Sequence, residues 1–227
     1  MADPTIDEKH KKNREIYEAL LRGKGNRVIE LFKQVPKGPL HVLTMHQDTV
    51  LHMATFSEQQ DIVSNLLREL PEENTDISSR SNMMLLVTVK NDWGNTVLHD
   101  AATSNKLIPV AREMLRREPE LLMKRNRSGE TALARAARYG MLEMFKFLDG
   151  EVNKALASKD EEERVAFYER NDKATILHGS VIAEHFQHQY LVNAKDGNGM
   201  TALQLLACNP SAFEIGTKHY LKRLINF

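Results

Sequence analysis

One short pattern recurs along this chain. The segment Asn91-Asp92-Trp93-Gly94-Asn95-Thr96-Val97-Leu98-His99-Asp100-Ala101-Ala102 returns as Asn126-Arg127-Ser128-Gly129-Glu130-Thr131-Ala132-Leu133-Ala134-Arg135-Ala136-Ala137, with the two threonines 35 positions apart. Weaker copies stand at Thr49–Ala54, at Thr175–His178 and at Asn198–Ala207. A period of this length means stacked units, each a piece of supersecondary structure that buries its apolar side only against its neighbours.

The pattern has a physical reading. Gly94, Gly129 and Gly199 each stand two residues before a threonine, where a tight turn needs positive φ. The threonine is a natural N-cap, because its hydroxyl can accept from an orphan N–H of the first helical turn, and the alanines that follow let helices approach closely. A first helix is therefore expected after each of Thr49, Thr96, Thr131, Thr175 and Thr201. Second helices are expected from apolar stripes at i, i+3/i+4, i+7: Ile62, Val63, Leu66, Leu67 and Leu70, then Leu107, Ala111, Met114 and Leu115, then Met141, Phe145 and Leu148.

This resembles the ankyrin repeat, whose period is about 33 residues and whose T-P-L-H-x-A signature matches Thr49–Ala54 and Thr96–Ala101 with Val in place of Pro. The third copy has Ala134 where His is expected, and the fourth has Gly179-Ser180 instead of an alanine pair. The resemblance implies an all-α solenoid of stacked helix-turn-helix units, joined by short hairpin-like turns and irregular toward the C-terminus. It also implies that His52, His99 and His178 hydrogen-bond between neighbouring turns. The expected division is a disordered tail over 1–13, a capping unit over 14–44, and repeats over 45–82, 83–124 and 125–170. A shortened repeat over 171–194 and a last ankyrin-like unit over 195–227 complete it. In the capping unit, helices are expected around Glu15–Arg22 and Arg27–Lys33.

The spacings are uneven. Thr49 to Thr96 is 47 residues, Thr131 to Thr175 is 44, with a charged run at Lys159–Arg164, and Thr175 to Thr201 is only 26. Together with Glu118-Pro119-Glu120-Leu121-Leu122, Arg138-Tyr139-Gly140, Thr175–Gly179 and Leu205–Phe213, this pattern resembles the plant ankyrin proteins that end in a membrane-anchored PGG domain. That resemblance implies a role in stress or defence signalling. The family's C-terminal membrane helices have no counterpart before Phe227, so membrane insertion is not carried over, and a splice form or fragment of a longer product is one expectation. The short fourth unit is expected to weaken coupling along the stack, so that the segment from Thr175 opens more readily than the centre.

Lys+Arg is 31 and Asp+Glu is 31, so there is no global basic field to attract nucleic acid or anionic lipid. The single cysteine, Cys208, cannot form an internal disulfide, and no apolar run is long enough to span a bilayer. The reading is a cytoplasmic protein, or one held at the cytoplasmic face of the plasma membrane by partners or in a longer form.

No enzyme motif is complete. His185 and His188 could chelate at i, i+3, but further ligands are not evident, so a metalloenzyme stands only as an alternative, as does weak nucleic-acid binding through Lys9–Arg14. Neither cofactor nor metal is expected. What remains is surface: turn tips and first helices would line a concave face, with Trp93 and Arg127 at turn tips and Asp100, Arg135, Arg138 and Tyr139 along first helices. Trp93 either serves that face or packs on the neighbouring turn. The function expected is that of a monomeric, non-catalytic scaffold presenting a preformed groove to a protein partner.

Overall fold

The computed structural model describes residues 6–70, 89–159, 167–169, 171, 175, 195–202 and 204. Eight α-helices follow one another among them: α1 (Ile6–Leu21), α2 (Gly25–Phe32), α3 (Val50–Phe56), α4 (Gln60–Arg68), α5 (Val97–Ala101), α6 (Ile108–Arg117), α7 (Ala132–Arg138) and α8 (Leu142–Ala155). No strand forms among the described residues; isolated antiparallel bridges, Val42 with Thr49, Glu169 with Thr175 and Lys195 with Thr201, close the turns instead.

The helices stack in two rows. α1, α3, α5 and α7 touch in succession and form an inner row, while α2, α4, α6 and α8 form an outer row. Ala54, Ala101, Ala102, Ala136 and Ala137 are fully buried on the inner helices, where small side chains allow close packing. The outer helices contribute the stripes Ile62, Val63, Leu66 and Leu67, then Val110, Ala111, Met114 and Leu115, then Met144, Phe145, Leu148 and Val152, all buried in one continuous core. At roughly 1.5–3 kcal/mol for each fully buried large aliphatic or aromatic side chain, this shared core is the main stabilising term.

The N-terminal segment differs from its expectation. Residues 6–13, read as tail, form the first two turns of α1. Two tertiary contacts explain this: Asn13 Nδ2 donates to the Val42 carbonyl at 3.2 Å, and Asn13 Oδ1 lies 2.8 Å from His41 Nε2. Such contacts couple residues about 30 positions apart and leave no local apolar signature.

Each outer helix is fastened to the unit beside it. Arg117 on α6 donates to the Leu67 and Leu70 carbonyls at the C-terminus of α4 (2.7 and 3.3 Å). Asn105 Oδ1 accepts from Met144 N–H at 3.0 Å and supplies one of the partners that the start of α8 lacks.

Candidate functional site

The site is the inner row with the fingers that precede it. Each finger is a turn ordered by an Asn or Asp three residues before the glycine. Asn91 Oδ1 accepts from Trp93 N–H and Asn95 N–H, Asn126 Oδ1 from Ser128 N–H and Glu130 N–H, and Asp196 Oδ1 from Asn198 N–H and Met200 N–H, all at 2.9–3.1 Å. Their amides also tie successive fingers together: Asn91 Nδ2 donates to Asp48 Oδ1 (2.9 Å) and Asn126 Nδ2 to Asn95 Oδ1 (3.0 Å). These Asx residues go beyond the Gly-x-Thr pattern, and their fixed three-residue lead over Gly94, Gly129 and Gly199 is the sequence signal that marks them.

The glycines take φ of +76, +77 and +79. At Gly94 the need is steric as well, because a Cβ there would lie 2.8 Å from the Arg127 amide nitrogen. That close approach lets Arg127 N–H donate to the Trp93 carbonyl at 2.9 Å, just as Asp92 N–H donates to the His46 carbonyl one finger earlier. The fingertips therefore form one bonded row.

Behind each tip the threonine starts the inner helix. Thr49 Oγ1 accepts from His52 N–H, Thr131 Oγ1 from Ala134 N–H and Thr201 Oγ1 from Gln204 N–H, each at 3.2 Å. His99 Nε2 lies 2.9 Å from the Glu130 carbonyl, and His52 Nε2 lies 3.2 Å from the Asn95 carbonyl. A carbonyl only accepts, so the proton sits on Nε2, and Nδ1 accepts from the backbone N–H of Thr96 or Thr49. Both imidazoles are buried and neutral: desolvation lowers the His52 pKa and pushes that of His99 down to about 4. Thr175 is buried, whereas His178 lies outside the described residues.

The six residues read as binding residues fall into two groups. Trp93, Arg127, Arg138 and Tyr139 are exposed, and the Trp93 ring, 52% exposed, leans on His46 with centroids 4.9 Å apart, so it both packs and faces solvent. Asp100 is not on the surface: it is only 6% exposed, and the Arg135 side chain keeps 13% of its surface. The two stand at the same place in successive units, four residues past Thr96 and Thr131, and face each other with Arg135 Nη2 and Asp100 Oδ1 3.9 Å apart. Burial pushes the Asp100 carboxyl up to about 7, with Arg135 opposing that shift. Tyr139 lies between two guanidinium groups, with Arg135 5.3 Å and Arg138 5.5 Å from its ring centroid. Arg138 also donates to buried Glu130 at 2.7 Å.

Among the described residues, no group of three or more His, Cys, Asp or Glu side chains could hold a metal ion, and no helix is long and apolar enough to cross a membrane. His185, His188 and Cys208 lie outside the described residues, as do Leu203 and Leu206 of the expected last unit.

Two rows of paired helices behind a row of hydrogen-bonded fingers define a helical-repeat solenoid, a class that binds through its inner face. A family model of ankyrin repeats in three copies matches residues 79–156, and no curated protein matches the chain. The chain thus carries ankyrin repeats, and its described residues build an all-α ankyrin solenoid.

Proposed function

We propose that the chain is a non-catalytic module that binds a protein partner in the groove between the fingertips and the inner helices. Ankyrin repeats are in general protein-interaction modules. One observation carries the reading for this chain. Of the seven large hydrophobic residues exposed among the described residues, Tyr17, Leu21, Met45, Phe56, Trp93 and Tyr139 belong to inner helices, their C-terminal ends or fingertips, and the seventh, Met123, ends the 3-10 turn that follows α6. Exposed apolar groups gathered on one face mark an interaction surface, whereas scattered ones do not.

Trp93, Arg127, Arg138 and Tyr139 are the contacting residues in this reading, with Asp100 and Arg135 beneath them as support. The uneven spacings of 47 and 44 residues support membership of the plant-type ankyrin proteins, and with it a cytoplasmic role in stress or defence signalling as a monomer. Affinity capture with mass spectrometry tests the groove. A Trp93→Ala/Arg138→Gln/Tyr139→Ala variant is expected to lose partners that the unmodified chain retains. The outer-helix variant Glu143→Ala/Lys146→Ala, which removes an exposed pair of small energetic weight, is expected to keep them. Equal capture by all three proteins would move the binding surface elsewhere.

A further inference from the structure

The chemistry of the groove changes along the stack. Left-handed residues Gly23, Glu58 and Gly140 (φ +63, +54 and +68) follow inner helices α1, α3 and α7, and two residues before each stand Leu21, Phe56 and Arg138. These three positions are equivalent, and the corresponding position after α5, seven residues past Thr96, is Thr103. Leu21 is 60% exposed, Phe56 71% and the Arg138 side chain 48%. One row of the inner face therefore runs from two large apolar side chains, through a threonine, to an arginine.

The cationic end is more positive at its surface than a charge tally suggests. Arg127 and Arg138 face solvent, while Glu130 and Asp100, the acids that oppose Arg138 and Arg135, are 2% and 6% exposed. The acids thus stand behind the arginines and offset their charge from below without contacting anything in the groove. Tyr139, stacked on both Arg135 and Arg138, holds the guanidinium groups in place. At the other end, Glu18 is shared between Arg14 (3.0 Å) and Arg22 (3.4 Å), so the charges beside Leu21 are only partly offset, and the large exposed apolar side chains are what distinguish this end of the groove.

We propose that the groove accepts an extended protein segment that lays apolar side chains on Leu21 and Phe56 and carboxylate side chains on Arg127 and Arg138. This rests on the groove reading above and adds the chemistry of the partner. Charge complementarity chooses acidic over basic segments. Because Glu130 already offsets part of the positive charge of Arg138, the site suits carboxylates better than dianionic phosphate.

The test is selection of a displayed library of random twelve-residue peptides on the purified full chain, followed by fluorescence anisotropy with a labelled synthetic copy of the most enriched peptide. Selected sequences are expected to pair Asp or Glu at one end with Leu, Phe or Trp at the other. Affinity is expected to fall at least tenfold in Arg127→Glu and in Leu21→Ser/Phe56→Ser, and to weaken as salt rises. Arg127 is an exposed fingertip residue, so its reversal leaves the core untouched and keeps the test interpretable if the double variant folds poorly. Selection without acidic enrichment, affinity indifferent to Arg127→Glu, tighter binding of a phosphoserine copy, or no selection above bare matrix would each overturn the proposal. Photo-crosslinking separates the two readings. A basic peptide crosslinked to inner helices would leave the groove standing and overturn only its chemistry, whereas crosslinks confined to α4 and α6 would overturn both.

Discussion

His99 Nε2 and the Glu130 carbonyl oxygen, 2.9 Å apart, join two repeats through a hydrogen bond between buried residues. The same imidazole accepts from Thr96 N–H at 3.1 Å, so one side chain caps its own helix and fastens the next finger. Replacing it by Ala would strand a buried carbonyl and a helix-starting N–H and leave a cavity. His99→Ala is expected to cost about 2–4 kcal/mol of unfolding free energy in urea titration. A loss below about 1 kcal/mol would show that the inter-repeat bond carries no such weight.

Acidification acts through the same residue. With the His99 pKa at about 4 in the folded chain and near 6.5 when unfolded, the two states hold equal protons above pH 6.5, and the unfolded state holds more below it. The His99 contribution to stability is thus complete above pH 6.5 and drains away as pH falls toward 4. His52, also depressed by burial, has the same sign. Unfolding free energies measured between pH 8 and 4 should fall less steeply in His99→Gln than in the unmodified chain, and equal slopes would refute this assignment.

Asp100 has the opposite sign. Its carboxyl is raised to about 7 from an ordinary value of 3.8, so stability from this group is complete below pH 3.8 and lost as pH rises through 7. Asp100→Asn is expected to raise stability at pH 8 by on the order of 1 kcal/mol, the nearby Arg135 limiting the gain, and to change little at pH 4. Destabilisation at pH 8 would mean that Arg135 depends on the charge more than burial opposes it.

Glycine at two turns separates strain from space. Both Gly94 and Gly23 have positive φ, but a Cβ on Gly94 would meet the Arg127 backbone at 2.8 Å, whereas one on Gly23 meets nothing within 4 Å. Gly23→Ala should cost roughly 1–2 kcal/mol of backbone strain alone. Gly94→Ala should cost clearly more, since the Trp93–Arg127 fingertip bond must give way. Thermal unfolding of the two variants checks the order, and equal losses would remove the steric argument.

Local signals made most of the fold legible. The Gly-x-Thr starts coincide with turns and caps at Gly94–Thr96 and Gly129–Thr131, and the expected apolar stripes lie buried against the core except Leu70 and Met141 at their ends, which are only partly buried, because turn geometry and helical period are properties of a few adjacent residues. Asp100 was not legible. Its burial comes from Arg135 and the neighbouring fingers, and nothing within α5 distinguishes it from an exposed acid. The first turns of α1 were hidden for a similar reason, since Asn13 is fixed by Val42 and His41. In the groove, the exposed cations and aromatics could be named from sequence, but the apolar end at Leu21 and Phe56 appears only once the positions equivalent to Arg138 are aligned in three dimensions.

Asn126 gives the sharpest test of the finger row. Its Oδ1 accepts from Ser128 N–H and Glu130 N–H, and its Nδ2 donates to Asn95 Oδ1 and Glu130 Oε2, so four bonds converge on a side chain in a residue only 8% exposed. Asn126→Asp keeps the two acceptor bonds, as Asp196 shows in the last described finger, but removes both donor bonds and sets a carboxylate against Glu130. Asn126→Ala should cost about 2–3 kcal/mol through stranded backbone N–H groups. The Asp variant should be destabilised at pH 8 and recover as pH falls and one of the facing carboxylates gains a proton. An Asp variant insensitive to pH, or an Ala variant as stable as the parent, would show that backbone turn geometry holds the finger without the side chain.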